Sequence, residues 1–134
     1  MIDLLEGAPS PFDEALGLRV VDVLDDHVVL RLDPPAAVVG GVDPRPSIHG
    51  GAIAALVDTA GWAAVQHASP GQWVSTDLRC DFLRAAELAP HRVTARCLRV
   101  GRTLAVVDVV IAPWDEPDQL VAAGRIQLMR IAPS

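Results

Sequence analysis

The sequence predicts an α+β protein, an antiparallel sheet of five to six strands wrapped around one long central helix. Three observations carry this. The stretch from Gly50 to His67 is almost wholly apolar and has the length of a helix. Six other segments carry β-branched or alternating patterns between turn residues. No helical segment separates consecutive strands after that stretch, so there is no βαβ rhythm and the strands should run antiparallel.

Pro11 to Leu16 reads as a short helical turn with proline near its start. Leu18 to Leu24 and Val28 to Leu32 form a hairpin about the turn residues Asp25-Asp26-His27. Pro34 to Ile48 holds four prolines and Gly40-Gly41, so it reads as an ordered functional loop without a regular element. The helix Gly50 to His67 has small residues all round, which suggests a sheet packed closely on more than one side. Gly61 inside it costs about 1 kcal/mol relative to alanine. Ser69-Pro70-Gly71 ends it. Trp73 to Leu83 then alternates with period two, setting Val74, Thr76, Leu78, Cys80 and Phe82 against Ser75, Asp77, Arg79 and Asp81. On that reading Ser75 lies on the polar-leaning face, Asp77 and Asp81 are solvated, and Trp62 and Trp73 belong to the core. Arg92 to Val100, Thr103 to Ala112 and Leu120 to Arg130 are the remaining strands.

Composition bounds the function. A chain of 134 residues makes one domain, 1–134, long enough to bury a core, and 51% apolar residues exclude disorder. The net charge is −6 and all 11 basic residues are scattered arginines, which argues against nucleic acid. The first ten residues lack a basic and apolar leader pattern, and the apolar run at 51–65 is short and broken by Asp58, so neither a signal peptide nor a membrane span is expected. Cys80 and Cys97 read as buried free thiols of a reducing cytoplasm. His27, His49, His67 and His91 show no metal-ligand spacing, and no metal or other cofactor is expected.

The chemistry concentrates in His49-Gly50-Gly51 and Asp58. Amides at a helix N-terminus have no intrahelical acceptor and favour negative charge, so the glycine turn suits an oxyanion or a polarised carbonyl. Without a Cβ, Gly50 and Gly51 let a ligand approach the backbone. The amide after His49 is more useful than its ring, which reads as a turn histidine satisfied by backbone. Asp58 is the one strongly polar residue between Gly51 and Val65, and a carboxylate in apolar surroundings is costly unless kept for a purpose. Eight residues of helix separate Gly50 from Asp58, about 12 Å. The two cannot serve one carbonyl within a chain. Two antiparallel helices across a two-fold axis would bring them together, which requires at least a dimer.

At these residues the chain resembles the hotdog-fold acyl-CoA thioesterases of the phenylacetate-degradation (PaaI-like) type, over residues 12 to 131. The likeness rests on the glycine turn followed by Ala-Leu-Val-Asp58, on Val74 to Arg84, and on Val100 to Ala105. It implies that Asp58 is the catalytic carboxylate, as nucleophile or general base. It implies that Gly50 N–H holds the thioester oxygen, and that Ser75 positions water near the carboxylate. Gly51, Arg84, Gly101, Arg102 and Thr103 would handle the CoA substrate. Some members carry asparagine six residues before the turn histidine; this chain has Asp43, a second carboxylate able to act on Asp58 or on acyl preference.

The resemblance implies a cytoplasmic homodimer or homotetramer that hydrolyses acyl-CoA thioesters, with sites between subunits. An alternative is a hotdog dimer that binds or senses acyl-CoA without hydrolysing it. A third is an enoyl-CoA hydratase using His49.

Overall fold

A computed structural model describes residues 10–41 and 44–132. Asp43 lies outside the described residues. The chain opens with α1 (Pro11–Leu16), closed at both ends. Ser10 and Asp13 form a reciprocal capping box, Pro11 starts the first turn, and Gly17 ends the helix in the left-handed conformation at φ 75°. Strands β1 (Leu18–Val23) and β2 (Val28–Leu32) pair as the expected hairpin.

The next segment corrects the expectation of a loop without regular structure. A single turn of 3₁₀ helix at Ala36–Val38 leads into β3 (Val39–Gly40), which pairs with β4 (Ser47–Ile48). Two-residue strands carry no periodicity to read. Their physical basis is a close approach, because a Cβ on Gly40 would lie 2.9 Å from His49 Cα. His49 N–H donates to Val38 C=O at 2.8 Å, so the small hairpin clamps the start of the long helix.

That helix, α2 (Gly50–Ala68), is followed by β5 (Gln72–Phe82), β6 (His91–Val100), β7 (Leu104–Pro113) and β8 (Ala122–Ala132). The main sheet has the order β1-β2-β6-β7-β8-β5, antiparallel throughout. One long helix against a six-stranded antiparallel sheet is a hotdog fold. Leu56, Val57, Ala60, Gly61 and Val65 point from α2 into a core completed by Leu30, Val93, Val107, Ile126 and Leu128. Gly61 earns its place by contact: a Cβ there would lie 2.2 Å from Ile126 Cγ2. Gly124 of β8 answers it, since a Cβ would lie 2.9 Å from both Val57 methyls.

Two sequence expectations change here. The sheet covers one face of α2 within the chain, leaving Gly51 exposed and Ala55, Asp58 and Trp62 only partly covered. The alternation of β5 is also broken. The register shifts between Ser75 and Asp77, so Thr76 is bulged out and everything before it changes face. Ser75 stands opposite Leu128 and Trp73 opposite Arg130, on the helix side, together with Leu78, Cys80 and Phe82. Thr76 Oγ1 donates to Gln127 C=O at 3.2 Å, which holds the bulge.

Candidate active site

The bulge creates the first half of the site. It turns Ser75 towards α2, where its hydroxyl donates to Asp58 Oδ1 at 2.5 Å. Asp58 is half-buried, and its other oxygen has no hydrogen-bond partner among the described residues. Both side chains open into a cleft of about 330 Å³ shared with Asp13, Thr59 and Trp62. Thr59 Oγ1 donates to Asp13 Oδ1 at 3.1 Å, which pins α1 beside the carboxylate. A half-exposed carboxylate with one oxygen oriented and the other free is arranged to accept a proton from water or to attack an electrophile.

The second half lies at the helix N-terminus. His49 Nδ1 accepts Gly51 N–H at 2.8 Å, and His49 C=O accepts Ala52 N–H at 2.9 Å and Ile53 N–H at 3.1 Å. The ring thus acts as the helix cap, in the tautomer that leaves Nδ1 unprotonated. Gly50 N–H has no acceptor among the described residues. It borders a cleft of about 370 Å³ with Phe82, Leu83 and Arg84. A Cβ on Gly50 would lie 3.5 Å from the Phe82 ring, and the Arg84 guanidinium bonds the Gln119 carboxamide.

The Gly101-Arg102-Thr103 turn is a third, separate place. Gly101 N–H donates to Leu104 C=O at 2.7 Å, closing the turn between β6 and β7. Arg130, which sequence reasoning missed, locks it. Its backbone N–H donates to Thr103 C=O at 2.9 Å and its Nε to Arg102 C=O at 3.2 Å. Its Nη2 reaches Ser69 Oγ at 2.6 Å, and its guanidinium lies 4.4 Å above the Trp73 ring. The turn is therefore tied to the C-terminal end of α2.

Within one chain the structure brings Asp58 to Ser75, and His49 and Gly51 to Gly50 with Arg84 nearby. It does not bring the two groups together. Sequence reasoning placed Trp62 in the core, whereas it is only part-buried and lines the cleft one helical turn beyond Asp58 on the same face; it passed over the Asp13–Thr59 pair, for which no local signal exists. Burial pushes both cysteine thiols up in pKa, Cys80 with help from Asp81, which suits inert thiols rather than nucleophiles. Among the described residues no three His, Cys, Asp or Glu side chains gather as a metal site, and no helix is long and apolar enough to cross a membrane.

A hotdog fold whose helix carries a serine-bonded carboxylate has the equipment of a hydrolase. The family model of the thioesterase superfamily matches residues 46–122. A Halobacterium salinarum protein provisionally named an esterase is 34% identical over 119 residues, covering 82% of this chain and 78% of its own. Thioesterase superfamily member 2 of zebrafish has a TM-score of 0.77 at 28% identity, covering 94% of this chain and 91% of its own. The Escherichia coli PaaI protein from the phenylacetic acid degradation operon also scores 0.77, at 26% identity over 94% of this chain and 88% of its own. The chain belongs to the thioesterase superfamily and is a PaaI-like thioester hydrolase.

Proposed function

We propose that the protein, taken as one domain over residues 1–134, is a cytoplasmic acyl-CoA thioesterase whose active sites form between two copies of the chain. The observation that carries this is the 2.5 Å bond from Ser75 to Asp58 in an open cleft. Asp58 either attacks the thioester carbonyl or takes a proton from water that attacks the carbonyl directly. In the first case the C–S bond breaks to leave a mixed anhydride that water hydrolyses, while the thiolate takes a proton from that water. In the second case the water oxygen bonds to the carbonyl carbon, and Gly50 N–H of the other chain holds the oxyanion. The C–S bond then breaks and the proton on Asp58 passes to the leaving thiolate.

Three features support a pairing of chains. Gly50 and Asp58 are about 12 Å apart along α2, too far to share a carbonyl. The partly covered stripe of α2 holds small residues around Asp58, so a second helix can approach it. Strand β5 is a sheet edge, and its helix-side Leu78 and Phe82 are 38% and 58% exposed where the matching residues of β8 are buried. Two α2 helices lying antiparallel bring Asp58 and Ser75 of one chain to Gly50 and Arg84 of the other. A pair of such dimers is the larger form.

Within the chain His49 Nδ1 accepts Gly51 N–H, so the ring serves as the helix cap and not as half of a hydratase's His/Asp pair. The test is thiol release from acetyl-, octanoyl- and phenylacetyl-CoA. Turnover that falls by orders of magnitude in a folded Asp58→Asn variant supports the reading. Tight binding of acyl-CoA without thiol release assigns the protein to binding or sensing instead, and near-normal turnover in the variant removes Asp58 from the chemistry.

A further inference from the structure

A further cleft, of about 320 Å³, runs between α1 and the start of α2. Its walls are Phe12, Ala15, Leu16 and Val38, and it ends at His49 and Gly51. Among the described residues no charged side chain lines it. Its polar group, the His49 ring, already spends Nδ1 on Gly51 N–H. An apolar, uncharged occupant suits these walls.

Phe12 gives the cleft a purpose. Its ring is 60% exposed, yet its helix is held by a capping box, a left-handed glycine and the Asp13–Thr59 bond. A fixed aromatic ring left in the open gains by being covered. The cleft also meets the turn whose free Gly50 N–H would hold a thioester oxygen. A group attached to that carbonyl has apolar space here beside His49 and Gly51, while Gly50 and Arg84 border a separate cleft.

We propose that this cleft is the acyl subsite, and that Phe12 with Ala15 selects bulky, uncharged, apolar acyl groups over acetyl and over acyl groups ending in a carboxylate. The inference rests on the thioesterase reading. An engineered cavity of roughly 150 Å³ holds benzene, so the cleft has room for an aryl ring with its linker or for a medium-length alkyl chain.

The test compares kcat/KM for acetyl-, succinyl-, octanoyl- and phenylacetyl-CoA in the native protein, Phe12→Ala and Ala15→Phe. Both substituted positions are exposed, and thermal melting checks the fold. The native protein should favour octanoyl- or phenylacetyl-CoA over acetyl-CoA by about tenfold or more. Phe12→Ala, which removes a wall, and Ala15→Phe, which fills the space, should each cut that ratio by about three- to tenfold. Val21→Ala, at an exposed residue of β1, should leave it unmoved. Unchanged ratios in both cleft variants overturn the proposal, and so does a Phe12→Ala protein that changes only its oligomeric mass, because the ring then belongs to a subunit contact. If no thioester is hydrolysed the hydrolase reading fails separately. Calorimetric binding of phenylacetyl-CoA, weakened by Phe12→Ala or not, then decides whether the cleft holds the acyl group.

Discussion

Replacing Gly50 by proline deletes one N–H and should otherwise leave the fold intact. Gly50 is the first residue of α2, where proline is well tolerated. Its φ is not positive, and its N–H has no acceptor to lose among the described residues. The residue before a proline must be extended, and His49 already is, at φ −56° and ψ 135°. The nearest atom to a new Cβ is on the Phe82 ring at 3.5 Å, an ordinary contact. Stability should therefore stay within about 1 kcal/mol of the native value, with a gain of roughly 0.4–1 kcal/mol if the geometry is strain-free. Loss of one oxyanion donor should lower kcat by about 10²–10³-fold. Gly50→Ala is the control, because it adds the Cβ and keeps the N–H. Thiol release reads kcat, and thermal melting with light scattering reads fold and assembly. A folded Gly50→Pro dimer with kcat within about threefold of native would refute the reasoning.

The same variant tests whether the site spans two chains. In a mixed dimer of Gly50→Pro and Asp58→Asn, one site keeps both native groups and the other loses both. Equal amounts, dissociated and reassociated at random, should recover about one quarter of native activity, since half the dimers are mixed and each has one working site. If Gly50 and Asp58 served one site in one chain, every chain in the mixture would be defective and nothing would be regained.

Other outcomes follow from single contacts. Ser75→Ala removes a hydrogen bond to a carboxylate, of a kind worth roughly 1.5–3 kcal/mol, so kcat should fall about tenfold or more with KM little changed; steady-state kinetics that show the reverse split would reassign Ser75 to binding. Gly61→Ala places a Cβ 2.2 Å from Ile126 Cγ2, and an overpacking cost of about 1–3 kcal/mol should exceed the helix-propensity gain of about 1 kcal/mol. A urea midpoint at or above native would show that β8 yields there. His91 is buried, its Nδ1 donates to Ala89 C=O at 2.7 Å, and burial lowers its pKa from 6.5. The unfolded chain therefore binds the proton more readily, so this contribution is complete above about pH 6.5 and declines as pH falls below it. His91→Gln should flatten the fall in stability between about pH 7 and 5, and an unchanged slope would exclude His91 as its source.

Legibility in the sequence followed the range of the interactions. The long helix was expected from Gly50 to His67 and spans Gly50–Ala68, because its glycine start and its Ser69-Pro70-Gly71 end are local signals. The β6–β7 hairpin was equally clear from Gly101-Arg102 between two β-branched runs. What stayed hidden depends on partners far along the chain. The bulge at Thr76 is set by pairing with β8 and by a bond to Gln127, so a period-two reading of β5 put Ser75 on the wrong face. The β3–β4 bridge depends on Gly40 meeting His49. Asp13 reaches Thr59 across 46 positions of sequence. Asp58 itself was legible, because one carboxylate in an apolar helix is a local anomaly; its hydroxyl partner was legible only through the family resemblance.

The spacing of the three groups argues for one arrangement of two chains. Asp58 and Ser75 sit near the middle of α2, Gly50 and Arg84 at its N-terminal end, and the Gly101–Thr103 turn is tied by Arg130 to its C-terminal end. A parallel pair in register would set like against like and leave each carboxylate about 12 Å from any Gly50 amide. An antiparallel pair with Gly50 opposite Asp58 has its two-fold axis near Ala54, where small side chains permit close approach. It would also carry the partner's C-terminal helix end, to which the Gly101–Thr103 turn is tied, past Gly50. On that proposal the reacting carbonyl would lie between Gly50 of one chain and Asp58 of the other, with Arg84 and the other chain's Gly101–Thr103 turn available at that end to a long anionic thiol carrier.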